Sequence, residues 1–265
     1  MFDSAFFTHI SLLSGLALAV MMLAVWLLSL KLKDVSIVDA FWGFGFGLVA
    51  LTMLYLADLQ HGVGTAQLAL VLIVCLWSLR LGGHLLIRWL GEAEEDRRYQ
   101  AMRQRNPGFW WRSLYIVFAL QGVLIWLVAL PLQVALAAAP VALNLLGLVG
   151  LAVAFGGLWM ETLADIQLTR FRKNPSNAGK ILDTGLWAYS RHPNYFGDAT
   201  FWWGVWLACV SITPAAGVVC FAPLLMNYLI VKISGAELLE HYLKKNRPGY
   251  ADYMTRTNRF VPRIF

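Results

Sequence analysis

Charge is what this chain has least of. Only 14% of its 265 residues are Asp, Glu, Lys or Arg, against 59% hydrophobic side chains, whereas soluble domains carry about 25% charge. That shortfall excludes an ordinary soluble domain. Cysteine is scarce as well: Cys75, Cys209 and Cys220 form neither an even set nor a metal-ligand spacing, so a disulfide framework and a zinc site are both excluded, and no metal is expected. No Ser/Gly linker, low-complexity tract or fixed-period repeat divides the sequence. There is also no strand pattern for a GxGxxG turn to follow, which excludes a Rossmann domain.

What the chain has in quantity is apolar sequence. Runs of about 20 residues, long enough to cross about 30 Å of hydrocarbon as helix, lie near 8–30, 37–58, 66–89, 113–136, 142–166, 196–213 and 215–236. The expectation is an all-α polytopic integral membrane protein with about seven transmembrane helices, forming a single membrane domain over residues 1–265. The first run is too long for a removable signal peptide and lacks a basic leader and a small-residue cleavage site, so it is expected to remain as the first helix. Basic residues alternate with the runs: Lys31, Lys33, the 97–112 loop, the 170–191 loop and the segment after Lys232 are cationic, while the turns around His61, Gln133 and Thr213 are not. With Arg80 and Arg88 in the inner half of the third run, all 21 Lys and Arg fall on one side. The positive-inside rule then predicts an outside N-terminus and a cytoplasmic C-terminus. This topology and lipid head groups account for the net charge of +6 without nucleic acid. Residues 91–106, GEAEEDRRYQAMRQRN, read as a short interfacial helix with acids first and bases later.

Ionisable groups inside the runs mark a polar interior, because each is costly in hydrocarbon. Trp77, Arg80, His84 and Arg88 recur at helical spacing; Glu161, Asp165 and Arg172 share a narrow sector of a second helix; Asn194 and Asp198 are one turn apart. Snorkelling of Arg88 and a structural ion pair at Arg80 are the plainer explanations of those residues. Aromatic residues gather nearby: Trp110, Trp111, Trp187, Tyr189, Tyr195, Trp202, Trp203, Tyr250 and Tyr253. Many suit an interfacial belt, but Trp187 and Tyr189 sit inside a basic loop, where a planar ring could be stacked. Arg170, Arg172 and Lys173, with Asn174 and Pro175 ending the helix, and then Arg191 and His192, would suit a phosphate-rich ligand from the cytosol.

The blocks FRKNP at 171–175, preceded by Gln167, and RHPNYFGD at 191–198 resemble the paired signatures of the membrane sterol reductases and their relatives, the steroid 5-alpha-reductases. The segment YADYMTRTNRFVPRIF at 250–265 is similar too, and the resemblance covers residues 145–265. As a whole the chain resembles the bacterial membrane proteins of the DUF1295 type, grouped beside the 5-alpha-reductases. The resemblance implies substrate-side helices over 1–140 and a cofactor-binding half over 141–265, in a bacterial inner membrane. It further implies NADPH bound from the cytosol and hydride delivered to a carbon-carbon double bond, conjugated to a ketone, of a steroid-like or other lipid-soluble substrate. By motif position Asp165, Arg172, Asn194 and Asp198 would contact the cofactor, joined by Arg170, Lys173, Asn174, Trp187, Tyr189, Arg191, His192 and Tyr195, with Tyr242 and Tyr253 from the tail.

Two positions depart from the family. Leu168 stands where sterol reductases carry a lysine, and Trp77 where 5-alpha-reductases place a proton-donating tyrosine. Indole cannot act as that acid, so Asp39, kept neutral by burial, is the expected donor and His84 its substitute. Trp77, Arg80 and Glu161 would line the substrate pocket, and no obligate protein partner is implied. A second class stays open: RHPxYxG followed by an apolar helix and acids at Glu237 and Glu240 is shared with S-adenosylmethionine-dependent membrane methyltransferases of the isoprenylcysteine carboxyl or phospholipid type. A transporter or lipid-binding protein is the third, although inverted repeats and broken helices are not evident.

Overall fold

The computed structural model describes residues 3–233, 240 and 243–263. Every named element in it is helical, and the two compact units are Met1–Gly147 with Ala208–Ala222, and Leu148–Leu207 with Pro223–Phe265. Among the described residues six helices are long and apolar enough to cross a membrane: Ser4–Leu32, Val38–His61, Thr65–Leu90, Phe109–Val128, Leu145–Lys173 and Pro214–Ile233. The sixth apolar run of the sequence is also a helix, Pro193–Ile212, but Asn194 and Asp198 dilute its hydropathy. The chain is thus an all-α polytopic membrane protein.

In the first unit, α1 (Ser4–Leu32) opens on Asp3, whose carboxylate accepts from the amides of Ala5 and Phe6 and so satisfies two orphan donors of the first turn. Leu12, Leu16, Leu23 and Leu27 are exposed along it, as lipid-facing side chains should be. The helices α2 (Val38–His61) and α3 (Thr65–Leu90) meet through small residues. A Cβ on Gly43 would stand 2.6 Å from the Gly82 amide nitrogen, and Ser78 donates to the Gly43 carbonyl while accepting from the Gly47 amide. Close backbone approach plus an interhelical hydroxyl bond is how apolar helices bind one another where lipid offers no hydrophobic drive.

Two details differ from expectation. In the 91–106 segment only Arg97–Arg105 is helical (α4), and its first turn contains no acid. Asp96 caps it instead, accepting from the Arg98 amide, while Glu95 accepts from the Val35 amide and from Arg103. These acids tie the segment down rather than feed a helix dipole. The predicted 113–136 span is broken: α5 (Phe109–Val128), which includes a π-helical stretch at Leu114–Ala119, stops before Ala129, and α6 (Leu130–Leu136) begins afresh. Pro131 explains the break, since its ring has no N–H to give and collides with the carbonyl four residues back. Gln133 donates to the Trp126 carbonyl at 2.7 Å, replacing part of what is lost.

The second unit is built on α7 (Leu145–Lys173) and α8 (Pro193–Ile212), which cross backbone to backbone. A Cβ on Gly197 would lie 2.5 Å from the Glu161 amide nitrogen, and those on Gly157 and Gly204 would collide with the backbone of Phe201 and Ala154. The loop between α7 and α8 begins with local turns. Asn174 caps the turn Pro175–Asn177 through Ser176, and Gln167 accepts from the Leu186 amide beside Gly185, whose φ of 61° suits glycine. After α9 (Pro214–Ile233), the chain reaches α10 (Tyr250–Arg256).

Candidate functional site

The loop and the segment that follows α10 are stitched together within the second unit. The Arg191 amide donates to the Asn258 carbonyl at 2.8 Å, Ser190 Oγ to the Phe260 carbonyl, and the Arg263 amide to the Tyr189 carbonyl. Beneath them lies an ionic knot. Arg191 Nε donates to Glu240 at 2.7 Å and its Nη1 to the carbonyls of Met254 and Thr257, while His192 Nε2 lies 3.1 Å from Glu240 and Arg259 3.3 Å from its other oxygen. Arg191, His192 and Glu240 are all buried. Burial pulls the Glu240 carboxyl upward, but the hydrogen bonds and charges of His192 and Arg191 outweigh it and hold the group at about 2. A buried charge of this kind is stabilised by a cationic partner on each of its oxygens.

Between this knot and the end of α7 opens a cavity of ≈ 250 Å³. Its cationic lining is Arg172, Lys180, Arg191 and Arg247, with His192; its rings are Phe171, Trp187, Tyr250 and Tyr253; no Asp or Glu among the described residues lines it. Trp187 is anchored by its Nε1 to the Ala164 carbonyl, and Tyr253 by its hydroxyl to the Trp187 carbonyl. Burial pushes the Tyr250 phenol up to about 12, helped by the Glu240 charge, and raises that of Tyr253. Both therefore remain protonated donors at neutral pH. A second hollow shares Phe171, Asn174, Asn177 and Leu182 with the first and adds Arg170 and Thr184.

Farther along α7, Asp165 accepts from Asn194 Nδ2 at 3.0 Å. Glu161, Asp165 and Asp198 are buried, and Asn194 Oδ1 has no hydrogen-bond partner among the described residues. Because α7 rises about 1.5 Å per residue, Asp165 lies about 10 Å deeper than Arg172 along the helix axis. Sequence-predicted residues therefore separate into three groups. Arg172, Asn174, Trp187, Arg191, His192 and Tyr253 line the cavity. Asp165, Asn194 and Asp198, with Glu161, are carried by α7 and α8 and do not appear in its wall. Lys173 and Tyr189 are exposed outside it, Tyr195 stacks on His192 with ring centroids 5.4 Å apart, and Tyr242 falls outside the described residues.

Arg191 and His192 depart from the expected role. Two of the three Arg191 nitrogens are engaged by Glu240 and by main-chain carbonyls, so the residue holds the wall of the cavity before it can hold a ligand. In the opposite direction, Lys180, Tyr250 and Arg247 belong to the wall although the sequence did not single them out as site residues. The turn Arg247–Pro248–Gly249, with Gly249 at φ 78°, was the available signal for Arg247.

Asp39 and its neighbours belong to the first unit. Arg98 Nη2 and the Tyr99 hydroxyl each reach the Asp39 carboxylate at 2.6 Å, and Gln121 donates to that hydroxyl at 3.2 Å. The residue expected as a lone proton donor is therefore held in an ion pair with Arg98 and a hydrogen bond from Tyr99. Burial raises the Tyr99 phenol well above its ordinary value, with the Asp39 charge adding to the effect. Trp77 is fully buried edge-on to Phe46, which makes it a core residue of α2 and α3. Arg80 and His84 lie half-buried farther along α3.

The fold and cavity define a class: a polytopic helical membrane protein with a cationic, ring-lined hollow closed by its own C-terminal segment. Over residues 25–257 the chain matches the family described as "Protein of unknown function (DUF1295)", and it belongs to that family. A 90-residue stretch is 38% identical to the Delta(14)-sterol reductase of Ascobolus immersus, covering 29% of this chain and 20% of that reductase. The match thus spans about a fifth of the length of that curated relative. No solved structure matches the chain.

Proposed function

We propose that this protein is an NADPH-dependent membrane reductase that adds two hydrogens across a carbon-carbon double bond, conjugated to a ketone, in a steroid-like or other lipid substrate. The observation that carries it is the cavity wall of Arg172, Lys180, Arg191 and Arg247 with four aromatic rings and no acid among the described residues. Such a wall suits a polyanion bearing planar rings, since guanidinium groups pair with phosphate oxygens bidentately. A cavity of ≈ 250 Å³ holds part of a dinucleotide, and the Asp165, Asn194 and Asp198 groups fit the remainder, a carboxamide or ribose being able to satisfy Asn194 Oδ1. NADPH supplies the hydride when bound. The chain's own groups bind its phosphates at Arg172, orient it through Asn194 and Asp198, and exclude water with Trp187 and the C-terminal segment. The similarity to a protein named as a sterol reductase supports the same reaction class. The site then faces the cytoplasm, in keeping with the Lys and Arg distribution.

A methyltransferase is disfavoured by the same wall, because S-adenosylmethionine is a sulfonium cation and would meet Arg172, Lys180 and Arg247 with no Asp or Glu among the described residues of the wall to offset them. The test is thermal unfolding of the detergent-purified protein. At a ligand concentration about 100 times Kd, binding stabilises by about 2.7 kcal/mol, a shift of roughly 5–10 °C. NADPH is expected to give that shift and S-adenosylmethionine none. Arg172→Gln and Asp198→Asn should each abolish the NADPH shift while leaving the unliganded midpoint within a few degrees. A shift produced by S-adenosylmethionine alone would replace the reductase with the methyltransferase.

A further inference from the structure

Four cations line the cavity, but they are not equivalent. Arg191 is consumed by Glu240 and two main-chain carbonyls. Lys180 and Arg247, by contrast, have no ionic or hydrogen-bonded side-chain partner among the described residues, although Arg98, Arg103, Arg256 and Arg259 all find carboxylates. The two come from separate segments, one from the α7–α8 loop and one from the stretch leading to α10. They are brought to the same wall by the turn at Gly179, whose φ of 81° suits glycine, and Arg247 Nη1 lies 3.7 Å from where a Cβ on Gly179 would stand. Gly249 makes the second half of the contact, its absent Cβ facing Ile181 Cδ1 at 3.8 Å. Two like charges held toward one hollow repel each other. A small, doubly charged anion between them removes that repulsion and accepts a charge-assisted bond from each side.

We propose that Lys180 and Arg247 are the specificity pair of this site, recognising a terminal phosphomonoester and so selecting a phosphorylated nicotinamide dinucleotide over its unphosphorylated counterpart. The inference rests on the reductase function proposed above and adds the residues that choose between the two dinucleotides. A phosphomonoester carries between one and a half and two negative charges near neutral pH, because its second pKa is about 6. A phosphodiester carries one, spread over two unesterified oxygens where the monoester offers three. Bridging by the anion also ties the loop to the C-terminal segment, so recognition and closure of the wall are the same event.

The experiment compares the full-length detergent-purified protein with Lys180→Met/Arg247→Met, and with Lys180→Arg as a charge-conserving control. Affinities are measured for NADPH, NADH, adenosine 2′,5′-bisphosphate and AMP. Wild type is expected to prefer NADPH over NADH, and the bisphosphate over AMP, by about a hundredfold, each charge-assisted contact contributing about tenfold. In the double variant both preferences should fall to less than about threefold, with NADH affinity changed by less than about threefold. Lys180→Arg should keep them. A wild-type preference that survives intact in the double variant overturns the pair's assignment and leaves the reductase standing. Failure of wild type to bind either dinucleotide overturns the reductase, and the pair's role with it. Limited proteolysis adds a readout independent of affinity: the bisphosphate, but not AMP, should protect the 243–263 segment in wild type, and neither should do so in the double variant.

Discussion

Glu240 is the residue on which the second unit's ionic knot turns. It accepts from Arg191 and lies within 3.1 Å of His192 and 3.3 Å of Arg259, so Glu240→Gln leaves a buried guanidinium short of its counter-charge. Breaking such a pair costs about 3–5 kcal/mol; about 3 is expected here, because Arg191 keeps its two carbonyl acceptors. The loss should appear as a lower unfolding midpoint and faster cleavage within 243–263. The pH dependence has a definite sign. Glu240 titrates at about 2 in the folded protein against an ordinary 4.5, so its stabilisation is complete above about 5 and is lost as pH falls from there toward 2. Proteolytic protection of that segment should fade over the same interval, and in Glu240→Gln it should be flat. None of this was legible in the sequence: RHP and Glu240 are about fifty residues apart, and only the folded chain shows that the arginine faces inward.

At the scale of elements, the meeting of α7 and α8 decides whether Asp165 and Asn194 can touch at all. Gly197 lies in the RHPNYFGD block, and its missing side chain makes room for the Glu161 amide nitrogen, 2.5 Å from the position a Cβ would take. The obstacle is backbone and cannot rotate away. Gly197→Ala should therefore cost about 1–3 kcal/mol through overpacking and should weaken NADPH protection by separating the Asp165–Asn194 pair. Detergent melting with and without NADPH measures both. Helices were the readable part of this sequence, because apolar length alone implies them. Where the chain departs from a plain helix the reason is local chemistry: Pro131 interrupts the fourth apolar run, and Asp96 starts α4 later than charge order implied. The partners of Asp39, Arg98 and Tyr99, were not legible because they lie 59 and 60 residues away.

For the whole molecule, the excess of cations over acids works at two distances. Far from the cavity it is the pattern from which the positive-inside rule predicts orientation; at the cavity it forms a wall with no Asp or Glu among the described residues. Cofactor affinity should accordingly fall as salt is raised, because the wall's exposed charges are screened within about 10 Å at 0.1 M ionic strength. Titrations of NADPH from 50 to 500 mM NaCl should show weakening of about tenfold or more, with a shallower slope in Lys180→Met/Arg247→Met. The stitching of residues 189–191 to residues 258–263 has a consequence for biosynthesis. The part of the wall that those bonds secure, Leu243, Arg247, Tyr250 and Tyr253, follows all six apolar helices in the chain, so the hollow is completed only after they have been made. Synthesis of the apolar helices and completion of the hollow are consequently successive stages in the life of each molecule, and the hollow takes form only once residues 243–253 meet the loop.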